Sequence, residues 1–204
     1  MLKVVSEVVG VRKMEILFVD ACPRERSRTR KLAGRLLQHL PGNKTALKLT
    51  EENIPKITEE VVNRRYLDGK KKIFTDPVYD MAKQFAQADI VVIAAPYWDM
   101  SFPALLKRYI EAITVTGITF CYSESGVPIG MCRAGKLYYV TTAGGPIINE
   151  TFGYGYIKML AQGMYGIPDC CCFKAENLDV AGANEEEILR NASDMIDASF
   201  EMLN

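Results

Sequence analysis

The chain reads as a doubly wound α/β domain built on a parallel sheet. Three observations predict this. Short, nearly continuous apolar runs such as MEILFVDA and DIVVIAA suit strands covered on both faces. Segments with helical spacing of their apolar residues lie between them. The two kinds alternate along the chain, as βαβ units do, and such crossovers are right-handed.

Residues 14–21 form the first strand, and CPRER leads into a helix over SRTRKLAGRLLQHL. Leu32, Leu36, Leu37 and Leu40 make its apolar face, and PGN ends it. TALKLT, residues 45–50, reads as a second strand. Residues 51–76 are polar and carry no clear period. Residues 77–88 fit a helix with Met81, Phe85 and Ala88 on one side, followed by a strand over 89–95. Pro103 suits a first helical turn, and Leu105, Leu106, Tyr109, Ile110 and Ile113 form the next buried stripe. KLYYVTT, 136–142, is a fourth strand, 151–165 a helix, and 170–175 a fifth strand. The last helix begins near Asn184, where Glu185, Glu186 and Glu187 suit the positive end of the dipole.

Composition narrows the function classes. The 204 residues suit one domain, 14–204, and 49% apolar with 25% charged residues is ordinary for a globular protein. Residues 1–13 stand apart as an N-terminal extension: an added strand, a frayed arm or an over-called start. Lys plus Arg and Asp plus Glu are both 25, so no global charge calls for nucleic acid or an anionic membrane. No apolar run approaches the roughly 20 residues of a membrane span, and the leader does not read as a signal peptide, so the cytoplasm is the expected compartment. The six cysteines match neither a zinc site nor a C-x-x-C pair, and reduced thiols are expected. The single histidine, His39, ends the first helix, where a cation suits the dipole. Metal hydrolysis and a Ser-His-Asp triad find no support.

In open parallel sheets ligands bind beyond the carboxyl ends of the strands, so three loops matter. ACPRERSRTRK has Ser27 as a plausible N-cap, yet Arg28, Arg30 and Lys31 crowd the first turn, where cations oppose the dipole. A phosphate held by backbone N–H groups and the Ser27 and Thr29 hydroxyls would reverse that sign; the alternative is a solvated basic turn. Cys22 lies in the same loop, and its arginine neighbours would lower its pKa. The second loop exposes Tyr97, Trp98 and Met100 in a turn, where Gly, Asn, Asp or Ser is usual. Those groups suit a flat heterocycle, or else a local cluster or dimer contact. The third, TTAGGPI, has Gly144 and Gly145, which allow close backbone approach to a ring, or make a plain turn. Phosphate donors, apolar platform and glycine clamp in that order suit flavin mononucleotide (FMN) in a five-stranded sheet of order 2-1-3-4-5.

The stretch ADIVVIAAPYWDMSFPALLKRYIEAITVTGITFCYSESGVPIG, the Gly-Gly strand end and the tail KAENLDVAG are similar to one family. From about residue 14 onward the chain resembles the flavodoxin-like NAD(P)H quinone reductases and FMN-dependent NADH azoreductases. The resemblance implies a flavodoxin-like fold, FMN as prosthetic group, NADH or NADPH as hydride donor, a quinone or azo acceptor, ping-pong kinetics and a homodimer. It implies a phosphate loop of Ser27, Arg28 and Thr29, with Cys22 where azoreductases have a serine. The ring loop is Pro96, Tyr97, Trp98, Asp99 and Met100, and the clamp is Thr142, Ala143, Gly144 and Gly145. Catalysis would be flavin-based, with no side-chain nucleophile. Three positions depart from the pattern: Ala21-Cys22 replaces the serine, Tyr-Trp-Asp-Met replaces M-Y-N-F, and Thr-Ala-Gly-Gly replaces S-R-G-G. Asp99 for Asn removes an amide donor and adds charge. A flavodoxin-like electron-transfer or regulatory protein is the alternative, and the neutral charge favours the enzyme.

Overall fold

The computed structural model describes residues 12–201. The expectation for the leader falls mostly on residues 1–11 and lies outside the described residues. Five parallel strands form the sheet, in the order β2-β1-β3-β6-β7. They are β1 (Glu15–Asp20), β2 (Asn43–Lys48), β3 (Ile90–Ala94), β6 (Lys136–Thr142) and β7 (Asp169–Ala175). Counting these five alone, the order is the expected 2-1-3-4-5. The two strands left out, β4 (Phe120–Tyr122) and β5 (Pro128–Gly130), form a separate antiparallel hairpin that the sequence reading left unassigned.

Strand alternation divides two apolar layers. Ile16, Phe18, Val92, Ala94, Tyr138 and Val140 face α1 (Arg28–His39) and α6 (Glu185–Glu201). Leu17, Val19, Val91, Ile93, Leu137 and Tyr139 face α3 (Asp80–Gln87) and α4 (Ala104–Ile113). Both pleat faces are therefore covered, which is why these strands read as unbroken apolar runs. Gly42, at φ 130°, lets the chain turn into β2: a Cβ there would collide with the Met14 carbonyl.

Residues 51–76 hold a helix after all, α2 (Glu59–Lys71). It buries none of its residues, so it shows no apolar stripe. Thr58 caps it, with Glu59 and Glu60 in its first turn and Lys70 and Lys71 in its last. Arg65 fastens it by donating to the carbonyls of Glu111 (3.0 Å) and Ala112 (3.1 Å) at the end of α4, where carbonyls lack intrahelical partners. The segment expected as one helix over 151–165 is α5 (Tyr156–Leu160) between two wider π turns, Thr151–Gly155 and Ala161–Tyr165. The helix expected over 77–88 opens with a 3-10 turn, Pro77–Tyr79. Asn184 does cap α6, accepting from the Glu187 N–H at 3.2 Å.

α1 carries the first site loop, and Asp197 ties it to α6. Its carboxylate takes Arg35 Nε and Nη2 at 2.7 and 2.6 Å and His39 Nε2 at 2.7 Å. The His39 ring also stacks on Phe200, with centroids 4.9 Å apart. Arg35 first, then His39, holds the Asp197 carboxyl down at about 2. A folded value below the ordinary carboxylate value of about 3.9 gives stability that is present above that value. It is lost as pH falls through the folded one. Acid denaturation followed by far-UV circular dichroism is therefore expected to lose this contribution between about pH 4 and about pH 2, and Asp197→Asn is expected to flatten the curve in that window.

Candidate cofactor cleft

The three loops meet at one edge because the strands end close together: Asp20 lies beside Ala94, Ala94 beside Val140, and β6 ends two residues on at Thr142. The first loop is shaped by Arg30. Its guanidinium pairs with the buried Asp20 carboxylate and donates to the carbonyls of Cys22 (2.7 Å), Arg24 (2.8 Å) and Glu25 (2.7 Å). Arg28 is committed as well, to Asp179 at 2.7 Å and Glu185 at 3.2 Å. Arg28 and Arg30 are thus neither solvated nor free, and their dipole penalty is offset by carboxylates, whereas Lys31 is exposed.

Ser27 caps α1, its Oγ accepting from the Arg30 N–H at 3.2 Å. Lys31 N–H bonds the Ser27 carbonyl. Among the described residues no partner is found for the N–H groups of Arg28 and Thr29, the first two of the helix. These are the donors that an anion at a helix N-terminus takes. Thr29 is buried, and its hydroxyl bonds that of Thr142 at 2.6 Å, joining the first loop to the third.

The second loop is a tight hairpin. Trp98 N–H bonds the Ser101 carbonyl (3.1 Å) and Ser101 N–H the Trp98 carbonyl (2.7 Å). Both central residues are left-handed, Asp99 at φ 50° and Met100 at φ 62°. A turn of this kind usually takes Asn-Gly, and each non-glycine residue held there costs about 1 kcal/mol. Two bonds to the segment after β6 restrain it: Tyr97 Oη to the Asn149 carbonyl (3.2 Å) and Ser101 Oγ to the Phe152 carbonyl (2.6 Å). The turn holds Trp98 and Met100 partly in solvent, and the Arg24 guanidinium lies 5.9 Å from the Trp98 ring centre.

Ser27, Arg28, Thr29, Pro96, Tyr97, Trp98, Thr142 and Gly144 line one cleft of about 130 Å³. Asp99 and Met100 stand at the turn beyond its wall, Ala143 is buried, and Gly145 has open space above it. The expectation for Cys22 is corrected. It is fully buried, its thiol faces the Ala94 carbonyl at 3.6 Å, and its N–H bonds Asp20, so it does not line the cleft. Burial pushes its pKa up to about 12, the reverse of the expected lowering. The sequence reading missed Pro23, Arg24, Arg26 and Asp179, which complete the lining. Asp179 was findable in principle: β7 adjoins β6, so the loop after the last strand reaches the same edge.

A sequence-family model described as a flavodoxin-like fold matches residues 14–198. The chain belongs to that family. Among its relatives is FMN-dependent NADH:quinone oxidoreductase 2 of Clostridium acetobutylicum, 36% identical over 189 residues and covering 87% of this chain and 93% of that one. Another is FMN-dependent NADH:quinone oxidoreductase of Coprothermobacter proteolyticus, 32% identical over 190 residues, 87% and 94% covered. The flavodoxin-like fold is also that of an azoreductase from Bacillus anthracis (TM-score 0.77, 21% identity, covering 92% of this chain and 98% of that one).

In this flavodoxin-like chain the residues fit a phosphate-bearing flavin. The unpaired N–H groups of Arg28 and Thr29 suit a phosphate. Tyr97 and Trp98 offer flat apolar surface, and no partner is found among the described residues for the N–H groups of Gly144 and Gly145. Two outcomes check this geometry. Arg30→Met strands the Asp20 carboxylate and is expected to cost about 2–3 kcal/mol in urea unfolding. Cys22 is expected to resist a thiol reagent at pH 8 that labels the partly exposed Cys121, and to react once the chain is unfolded.

Proposed function

We propose that this chain is an FMN-dependent NADH:quinone oxidoreductase. The observation that carries the reading is the convergence, in one cleft, of unpaired helix N-terminal donors, an aromatic hairpin and a Gly-Gly segment for whose N–H groups no partner is found among the described residues. The relatives' names support it, and they favour NADH over NADPH as the donor.

When bound, FMN supplies the hydride chemistry, taking two electrons from a nicotinamide and passing them to a quinone. The chain's own residues bind and orient. The N–H groups of Arg28 and Thr29 hold the phosphate, with the Ser27 and Thr29 hydroxyls as further donors. Tyr97 and Trp98 form the wall of the ring site and keep water from it. The N–H groups of Gly144 and Gly145 donate to ring acceptors and stabilise negative charge there. The hydride would bring one hydrogen of the hydroquinone and water at the open mouth the second proton, while burial holds the phenols of Tyr139 and Tyr154, beside Tyr97, well above the ordinary tyrosine range. Asp99 and Met100 stand at the mouth, where acceptor choice is made. The exposed Met100, Ile148 and Phe152 give this mouth an apolar rim, which suits quinones or azo compounds and supports a homodimer closing over it. Among the described residues no helix is long and apolar enough to cross a membrane.

The test is an anaerobic visible spectrum of the purified, FMN-loaded protein. The bands of oxidised flavin are expected to bleach within the mixing time of NADH and return when a quinone is added. A protein that stays colourless after FMN is supplied contradicts the proposal. Loaded protein that bleaches only over many minutes favours an electron-transfer role.

A further inference from the structure

Asp179 touches two residues whose backbone N–H groups the proposed function assigns to the cofactor, meeting Arg28 through its guanidinium and Gly144 from above. Its carboxylate takes both terminal nitrogens of Arg28, at 2.7 and 3.2 Å. The same carboxylate lies close enough over Gly144 that a Cβ there would collide with Asp179 Oδ2. The main chain beneath is fixed, since Asp179 N–H bonds the Gly144 carbonyl at 2.8 Å and Leu178 N–H bonds that of Ala143 at 3.2 Å. Only the side chain is free to turn, and at 64% exposed it would turn into solvent. Arg28 would keep a second carboxylate, Glu185 Oε2 at 3.2 Å, so the swing would not leave the guanidinium without a partner.

A carboxylate and a phosphate monoester use the same fork of arginine donors. We propose that Asp179 is a stand-in anion: it occupies Arg28 and covers Gly144 until the flavin phosphate takes Arg28, and its displacement sets the affinity and rate of cofactor loading. This rests on the flavin reading above. The rival is a structural tie that only fastens the loop after β7 to α1.

The experiment titrates FMN, and riboflavin as the form without phosphate, against flavin-stripped protein. It follows quenching of flavin fluorescence for wild type, Asp179→Asn and Asp179→Glu, with a thermal melt of each. Asp179→Asn is expected to bind FMN roughly twofold to fivefold more tightly, the span of a partly exposed ion pair. It is expected to load faster, with a smaller gain for riboflavin, while Asp179→Glu stays near wild type. Unchanged or weaker FMN binding by Asp179→Asn overturns the proposal, and if its melting temperature also falls the structural tie is correct. If neither wild type nor Asp179→Asn quenches FMN while both melt cooperatively, the flavin reading itself fails and this proposal falls with it.

Discussion

The cleft depends on one buried pair, Asp20 with Arg30. A carboxylate at the end of a central parallel strand, 3% exposed, is stable there only when paired and hydrogen-bonded. Arg30 meets that need and uses its remaining donors on three carbonyls of the following loop. One side chain thus neutralises the strand end and folds the loop back. The start of α1 is left aimed across the cleft with its first N–H groups unspent.

The rest of the site follows from parallel register. Because β1 and β3 end level and β6 runs only two residues farther, their loops leave the sheet side by side, and short links lock them together. The Thr29–Thr142 hydroxyl pair joins the first loop to the third. Tyr97 and Ser101 join the second to the segment after β6. Those links explain how two adjacent left-handed residues, neither of them glycine, persist in a surface hairpin. The large side chains of PYWDM are not tolerated by the turn so much as presented by it.

What could be read from sequence divides along a physical line. The three central strands, β1, β3 and β6, announced themselves because both faces are buried; the edge strands β2 and β7 are more exposed and were read from their place in the alternation. The site loops announced themselves because their residues break local rules: cations at a helix start, aromatics in a turn. Helix α2 gave no signal because it buries none of its residues and is fastened by polar side chains, Arg64 to Asp76, Arg65 to the end of α4 and Asp68 to Tyr79. The β4–β5 hairpin gave none because its strands are three residues long. The fate of the arginines was hidden for another reason. Arg28 meets Asp179 from 151 positions away, and nothing local records such a pairing. Cys22 misled for the same cause: the arginines are near in sequence, but burial decides its chemistry.

The central claim is that the N-terminus of α1, the aromatic hairpin and the Gly-Gly segment hold one flavin between them. A crystal structure of the protein grown with FMN tests it most directly. The account predicts phosphate density on the N–H groups of Arg28 and Thr29, with the ring between Trp98 and Gly144–Gly145. Flavin bound elsewhere, or a cleft without density at saturating FMN, would contradict it.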